Sequence, residues 1–210
     1  MAIEINGNGT ISGLSVGGLP DGCVDRDTLA ASTKPAYVSF AVLQDQKAHD
    51  VSGGGTASNG AWRTRDLNTE VTDADGIVLG FNNISTSTAK LNGTNWSLTS
   101  NANGFVLGAG TYVIRWRCSA YYVDRNQADL YNNTDSAIVG TASSEYAQES
   151  YPVTSKSHGV ARVTISGNKE FLIRMRVEDT KSTYGWGVDS GFDTDHKSIY
   201  TTVEILKEAS

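Results

Sequence analysis

The chain has 210 residues, a formal net charge of −6, 22 glycines and only 3 prolines. That length holds one sizeable core rather than two ordinary domains, and the glycine-rich, proline-poor composition suits many short strands joined by tight turns. The acidic balance argues against a sequence-independent grip on nucleic acid, which needs clustered lysine and arginine.

Met1, Ala2, Ile3 and Glu4 provide neither a basic start nor an apolar run. No secretory signal and no membrane insertion are expected, and synthesis in a cytoplasm is. Ile3 to Val16, IEINGNGTISGLSV, is two short alternating pieces around Asn6, Gly7, Asn8 and Gly9. They carry too little apolar surface to fold alone and are expected to pair with another chain or a neighbouring protein. Gly17 to Gly22 reads as a turn, Val24 to Ala31 as about two turns of helix capped by Asp25 or Asp27, and Ser32 to Pro35 as a linker. The predicted organisation is therefore an N-terminal arm over 1–35 and one globular domain over 36–210.

The domain opens with a strand over Ala36 to Gln44, where Val38, Phe40 and Val42 share a face. His49 to Gly60, with Gly53, Gly54 and Gly55, is predicted as a mobile loop. Trp62 to Glu70 is polar and leads to a turn at Asp73, Ala74, Asp75 and Gly76. Ile77, Leu79 and Phe81 alternate again, Asn83 to Ala102 reads as a long hairpin or loop excursion, and Gly104 to Leu107 as a short strand.

The chain is organised around Gly110 to Tyr131. Tyr112, Ile114, Trp116, Cys118, Ala120 and Tyr122 fall on one side of an extended chain, and Val113, Arg115, Arg117, Ser119 and Tyr121 on the other. One face meets a core, the other water or a partner. A turn at Asp124, Arg125 and Asn126 predicts a hairpin with Gln127 to Tyr131. Ser136 to Val139 and Thr141 to Tyr146 read as short edge pieces. His158 to Ser166 and Lys169 to Asp179 read as a second hairpin with Ala161, Val163, Ile165, Phe171, Ile173, Met175 and Val177 inward, and Ile199, Thr201, Val203 and Ile205 close the sheet. About ten short strands with frequent turn signals predict an all-β fold, a two-sheet sandwich of jelly-roll type.

Chemistry is sparse. Cys23 and Cys118 are the only cysteines, and Cys118, on the core face, reads as a small buried hydrophobe rather than a disulfide partner. Asp73, Asp75 and Gly76 resemble a fragment of a calcium loop without its further ligands, so a turn is expected. Asp189, Asp193, Asp195 and His196 would suit a divalent cation if their loop curls, and otherwise form a solvated loop; no metal and no cofactor is assigned. No pair of carboxylates stands out for glycoside hydrolysis, and His49, His158 and His196 have no nucleophile partner.

Three blocks in order resemble the C1q/TNF-like domain found at the C-terminus of bacteriophage fibre proteins: Trp62 to Asn68 (WRTRDLN), Phe105 to Tyr131, and Phe171 to Val177 with the terminal Tyr200 to Lys207 (YTTVEILK). Ser12 to Ala30, SGLSVGGLPDGCVDRDTLA, is similar to a segment of phage fibre or virion-appendage proteins. The resemblance implies a homotrimeric C1q/TNF-like jelly-roll head in a virion, with Tyr121, Tyr131 and Tyr200 as candidate trimer-interface residues. The chain has no collagen-like or coiled-coil stalk, so residues 1–35 are expected to attach directly to other virion proteins. Within that reading Tyr184, Trp186 and Trp96 are candidate contacts to a host cell-surface glycan or receptor, Trp186 alternatively packing beneath its own loop. No catalytic residue carries over. The alternative is a depolymerase acting on host surface polysaccharide, with a site among Glu178, Asp189 and Asp193.

Overall fold

The computed structural model describes residues 36–49, 53–81, 103–192 and 194–209, with backbone strands also at 4–5, 11–12, 89–91 and 94–96. The chain divides into two compact units, Met1–Ala36 and Tyr37–Ser210. In the first, β1 (Glu4–Ile5) and β2 (Ile11–Ser12) pair antiparallel with each other, Ile5 opposite Ile11. The predicted helix over Val24 to Ala31 and the linker lie outside the described residues, as does Cys23.

The second unit holds β3 (Tyr37–Lys47), β4 (Arg63–Thr64), β5 (Thr69–Thr72), β6 (Val78–Phe81), β7 (Ala89–Leu91), β8 (Thr94–Trp96), β9 (Phe105–Leu107), β10 (Gly110–Tyr121), β11 (Asp124–Asn132), β12 (Ala137–Ala147), β13 (Thr154–Ile165), β14 (Lys169–Val177) and β15 (Ser198–Glu208). β7 and β8 form a small hairpin of their own inside the predicted excursion. The rest make two antiparallel sheets: a first in the order β13-β10-β15-β3-β5, and a second in the order β12-β11-β14-β9-β6 with β4 added against β14. From β9 onward the chain passes repeatedly from one sheet to the other, so that, the β11–β12 pair apart, neighbours within a sheet along this stretch are distant in sequence. That is the wiring of a jelly-roll sandwich, the predicted fold.

The alternation in β10 becomes burial directly. Tyr112, Ile114, Trp116, Cys118 and Ala120 are buried, while Arg115 and Arg117 point outward and are exposed. Facing them across the sandwich are Ala128 and Leu130 of β11 and Phe171, Ile173, Met175 and Val177 of β14, all buried. Phe105 and Phe171 stack with ring centroids 5.8 Å apart. Each such side chain contributes about 1.5–3 kcal/mol by leaving water.

Both predicted hairpins are replaced by crossings. β10 lies in the first sheet and β11 in the second, where β11 pairs with β12 and β14. The corner between them is turned by Tyr122 (φ 62°) and Asp124 (φ 52°), both in left-handed backbone, with Val123 buried between them. β13 and β14 likewise belong to different sheets. Alternation specifies which side chains face inward; it does not say which strand lies alongside. The two predicted edge pieces near 136–146 are a single edge strand, β12. In β3 the residues facing the core are Ala41, Leu43 and Asp45, so Phe40 and Val42 point away from it.

The edges β12 and β13 come together over Trp116. A Cβ placed on Gly159 of β13 would lie 2.1 Å from the Trp116 ring, and one on Gly140 of β12 would lie 2.7 Å from both that ring and Ala161. Only hydrogen fits there. Gly159→Ala is expected to destabilise the domain by about 1–3 kcal/mol through overpacking, read as a lower denaturant midpoint; an unchanged midpoint would mean that Trp116 does not fill this seam.

Candidate functional site

The glycine-rich stretch after β3, predicted as mobile, is strapped to the segment between β14 and β15. Gly54 N donates to Gly187 O (2.8 Å), Gly55 N to Thr183 O (2.9 Å), Trp186 N to Gly55 O (3.2 Å), and Ala57 and Lys181 exchange both backbone bonds at 2.9 Å. Glycine makes the approach possible, since a Cβ on Gly54 would sit 2.6 Å from the Trp186 backbone. Beneath this clasp Trp186 is only 8% exposed. Tyr200 is buried as well, its ring against Gly54 and Gly187. Of the aromatic residues predicted for a glycan contact, Tyr184 is therefore at the surface, Trp186 packs under its own loop, and the Trp96 side chain lies outside the described residues. Of those predicted for a trimer interface, Tyr200 is inside the domain, Tyr121 is half-buried against Tyr122 at 5.5 Å, and Tyr131 is half-buried beneath Arg174. Trp186 lies in a loop, where alternation assigns no face, and Tyr200 lies in β15 at the register shift between Ile199 and Thr201, where the clasp covers its ring.

The clasp closes over Arg65, which is 1% exposed. Its guanidinium lies 4.4 Å from the Trp186 ring centre, donates to Thr201 Oγ1 (3.2 Å) and reaches the carbonyl oxygens of Trp186 (3.3 Å) and Tyr200 (3.4 Å). Its backbone N–H donates to Ile173 O at 2.7 Å. One guanidinium nitrogen, Nη1, has no hydrogen-bond partner. Burial lowers the Arg65 pKa and pushes the Cys118 thiol beside it up to about 11, so Cys118 stays a neutral thiol and is no nucleophile. Asp45, also buried, accepts from Asn68 Nδ2 (3.1 Å), and burial raises its pKa to about 6 against the pull of Lys47 and Arg65. The sequence shows the WRTRDLN run only as polar, and polarity alone does not reveal an arginine carried into a core.

The outer face of the second sheet is polar and carries two hollows. Cross-strand rows read Tyr146–Arg125, Ser144–Gln127–Arg176 and Asp129–Arg174–Thr64. Asp129 is covered by a two-pronged pair with Arg174, at 3.0 and 2.6 Å. The Arg174 guanidinium lies 3.5 Å from the Tyr131 ring centre and 5.5 Å from that of Trp62. On one side of Trp62 opens a groove of about 860 Å³ with Asn59, Arg125, Gln127, Tyr146 and Arg176 in its walls. On the other is a depression of about 490 Å³ beside Tyr131 and Arg63. The alternation of Arg125, Gln127, Asp129 and Tyr131 was in the sequence as the signal for this face.

The outer face of the first sheet is different. Phe40, 55% exposed, is cross-strand from Leu206, which is cross-strand from Val113; Val42 lies in the next row, opposite Glu204. Farther along come Arg115, Arg117 and His158, all exposed.

Among the described residues the acids that come together are Asp124, Glu149 and Asp179, each offering an oxygen within 4.8 Å of the others. Burial and the neighbouring carboxylates Glu149 and Asp124 raise the Asp179 pKa. This donor set matches hard cations in type. In the predicted Asp189 loop, Asp189 accepts from Ser198 Oγ (2.8 Å), and Asp193 lies outside the described residues. Glu178, the third acid of the alternative enzyme site, pairs with Arg125 at 3.6 Å instead. Asp73 makes a turn, both carboxylate oxygens accepting backbone N–H groups, from Ile77 (2.8 Å) and Val78 (2.9 Å).

Two expectations follow for the clasp. Trp186→Ala is expected to destabilise the domain by about 3–5 kcal/mol, as for a large buried aromatic, measured by chemical denaturation; a loss of only a few tenths would place Trp186 at the surface after all. Asp45 binds its proton more tightly folded than unfolded, so its contribution to stability is complete below about pH 4 and is lost as pH rises through about 6. Asp45→Asn is expected to flatten the stability profile over that interval, and a profile identical to that of the unaltered protein would contradict it.

No family model matches the chain, and no curated protein does. Among solved structures, the globular domain of zebrafish complement 1qA is similar at 10% identity and TM-score 0.41, covering 80% of this chain and 95% of that one. Murine APRIL is similar at 5% identity and TM-score 0.42, with 80% and 98% covered. Eiger TNF from S. frugiperda is similar at 9% identity and TM-score 0.42, with 82% and 95% covered.

Proposed function

We propose that the chain is a structural protein of a bacteriophage virion, a tail-fibre or a head-fibre and decoration protein. Its jelly-roll head associates as a homotrimer, and residues 1–35 attach it to other virion proteins. The observation that carries the association is the outward apolar row of Phe40, Leu206 and Val113, with Val42 beside it. Phe40 is exposed and the other three are half-buried, and an apolar row on an outer sheet face marks a surface that meets protein. The number three and the virion setting are supported by the sequence resemblance of the three blocks and of Ser12 to Ala30. The head then projects outward and is the part that meets a host surface. A binding and structural role also fits the candidate chemistry: Glu178 and Asp189 are engaged with different partners, and Cys118 is a buried neutral thiol.

Light scattering on the full chain is expected to give three times the 22.4 kDa chain mass. Phe40→Asp combined with Leu206→Asp is expected to give monomers with unchanged circular dichroism. A monomeric unaltered chain would overturn the trimer, and a trimer that survives both changes would move the interface off the first sheet.

A further inference from the structure

We infer that the outer face of the second sheet is a binding surface for an acidic, carboxylate-bearing oligosaccharide, centred on Trp62 and Arg176. The inference rests on the outward-projecting head proposed above for its biological setting and moves the glycan contact away from Trp186.

The shape is the first argument. The groove of about 860 Å³ and the depression of about 490 Å³ both include Trp62 in their walls, so the ring stands between two hollows. Volumes of about 300–1,000 Å³ are those of small-molecule sites. Two adjoining hollows divided by a ring suit a chain of linked rings better than a single compact ligand. Tyr146, 54% exposed, lies at the groove and Tyr131 at the depression. Aromatic faces at intervals along a polar trough are what pyranose rings, apolar on their C–H faces and polar at their rims, can stack on.

The second argument is rigidity. Arg174 is fixed between Asp129, Tyr131 and Trp62, and it pins the two rings relative to the sheet. Gln127 Nε2 is held by Ala142 O (2.9 Å) and Ser144 Oγ (3.0 Å), which leaves its carbonyl oxygen as an acceptor for sugar hydroxyls. A surface already ordered loses little entropy when it binds.

Charge then selects among sugars. Arg63, Arg125, Arg174 and Arg176 line this face with Asp129, Glu145 and Glu178, and the Asp124, Glu149 and Asp179 carboxylates lie at its edge beside Tyr146. Asp129 is already neutralised by Arg174, and Glu178 pairs with Arg125 at 3.6 Å. Arg176 is exposed, stands in the groove wall and has no carboxylate within 4.0 Å among the described residues. A free guanidinium beside fixed rings and amides offers a planar two-donor fork to a sugar carboxylate.

The test uses the full chain, with tryptophan fluorescence and calorimetry against an oligogalacturonate, an oligosialate and neutral maltohexaose. Saturable binding to one of the acidic oligomers, weakened by added salt and absent for maltohexaose, is expected. Arg176→Ala is expected to weaken it at least tenfold, while Arg117→Ala on the opposite sheet leaves it unchanged. Trp62→Phe, which keeps an apolar ring, separates stacking from folding and is expected to weaken binding severalfold with circular dichroism intact. No binding to either acidic oligomer, equal binding to maltohexaose, or full affinity in Arg176→Ala would each overturn the inference. Mass measured on the same samples keeps the two readings apart. A trimer that does not bind overturns this inference alone, and a monomer that binds overturns the assembly reading alone.

Discussion

Among the described residues one buried cation, Arg65, ties the domain together. Arg65 enters the interior from the short connection between β4 and β5, and its donors go to three separate parts of the chain. Its backbone bonds β14 in the second sheet, its guanidinium bonds Thr201 and Tyr200 in the first, and it also bonds and stacks on Trp186 in the loop that crosses the end of the sandwich. No carboxylate lies within 4.0 Å of it among the described residues, so its compensation comes from carbonyl dipoles, a ring face and the more distant Asp45. A buried charge held this way is strong only as a set, since removing one partner leaves the rest uncompensated. The glycine clasp and the position of Tyr200 go with closing the chain over it, while Arg65 pulls the Asp45 pKa down against the burial that raises it.

With that end sealed, the two sheets are left with contrasting outer faces. The first presents Phe40, Val42, Val113 and Leu206 beside a basic end at Arg115, Arg117 and His158. The second presents fixed aromatic rings, amides and arginines around two hollows. A face of flat apolar side chains suits a protein surface, which buries them; a polar trough suits a ligand that brings hydroxyls and charge. One sandwich can thus assemble through one face and recognise through the other, because the core between them insulates the two.

The sheet seam shows how narrowly this depends on small residues. Gly159 and Gly140 let Trp116 lie where β12 and β13 approach, and a single methyl at either would meet its ring or Ala161. At the clasp, Gly53 and Gly54 play the same part for Tyr184, Trp186 and Tyr200. Glycine abundance in the composition therefore has two separate causes here, turns and close approaches, which look alike in sequence.

The all-β character, the inward faces of β10, β13 and β14, and the outward arginines of β10 were legible from the sequence alone, because the side-chain period of a strand is two and burial follows it wherever one face meets a core. The Asp73 turn was legible too, since a short carboxylate three residues ahead of a glycine accepts from backbone N–H groups just beyond the turn. What only the tertiary structure decided is who lies beside whom. Tyr122 and Asp124 turn a corner where a hairpin was expected, Arg65 is carried from a polar run into the core, and Trp186 and Tyr200 lie under a clasp made from stretches more than a hundred residues apart. Pairing between distant strands and loops depends on the whole set of closures being satisfied together, and no local period encodes it.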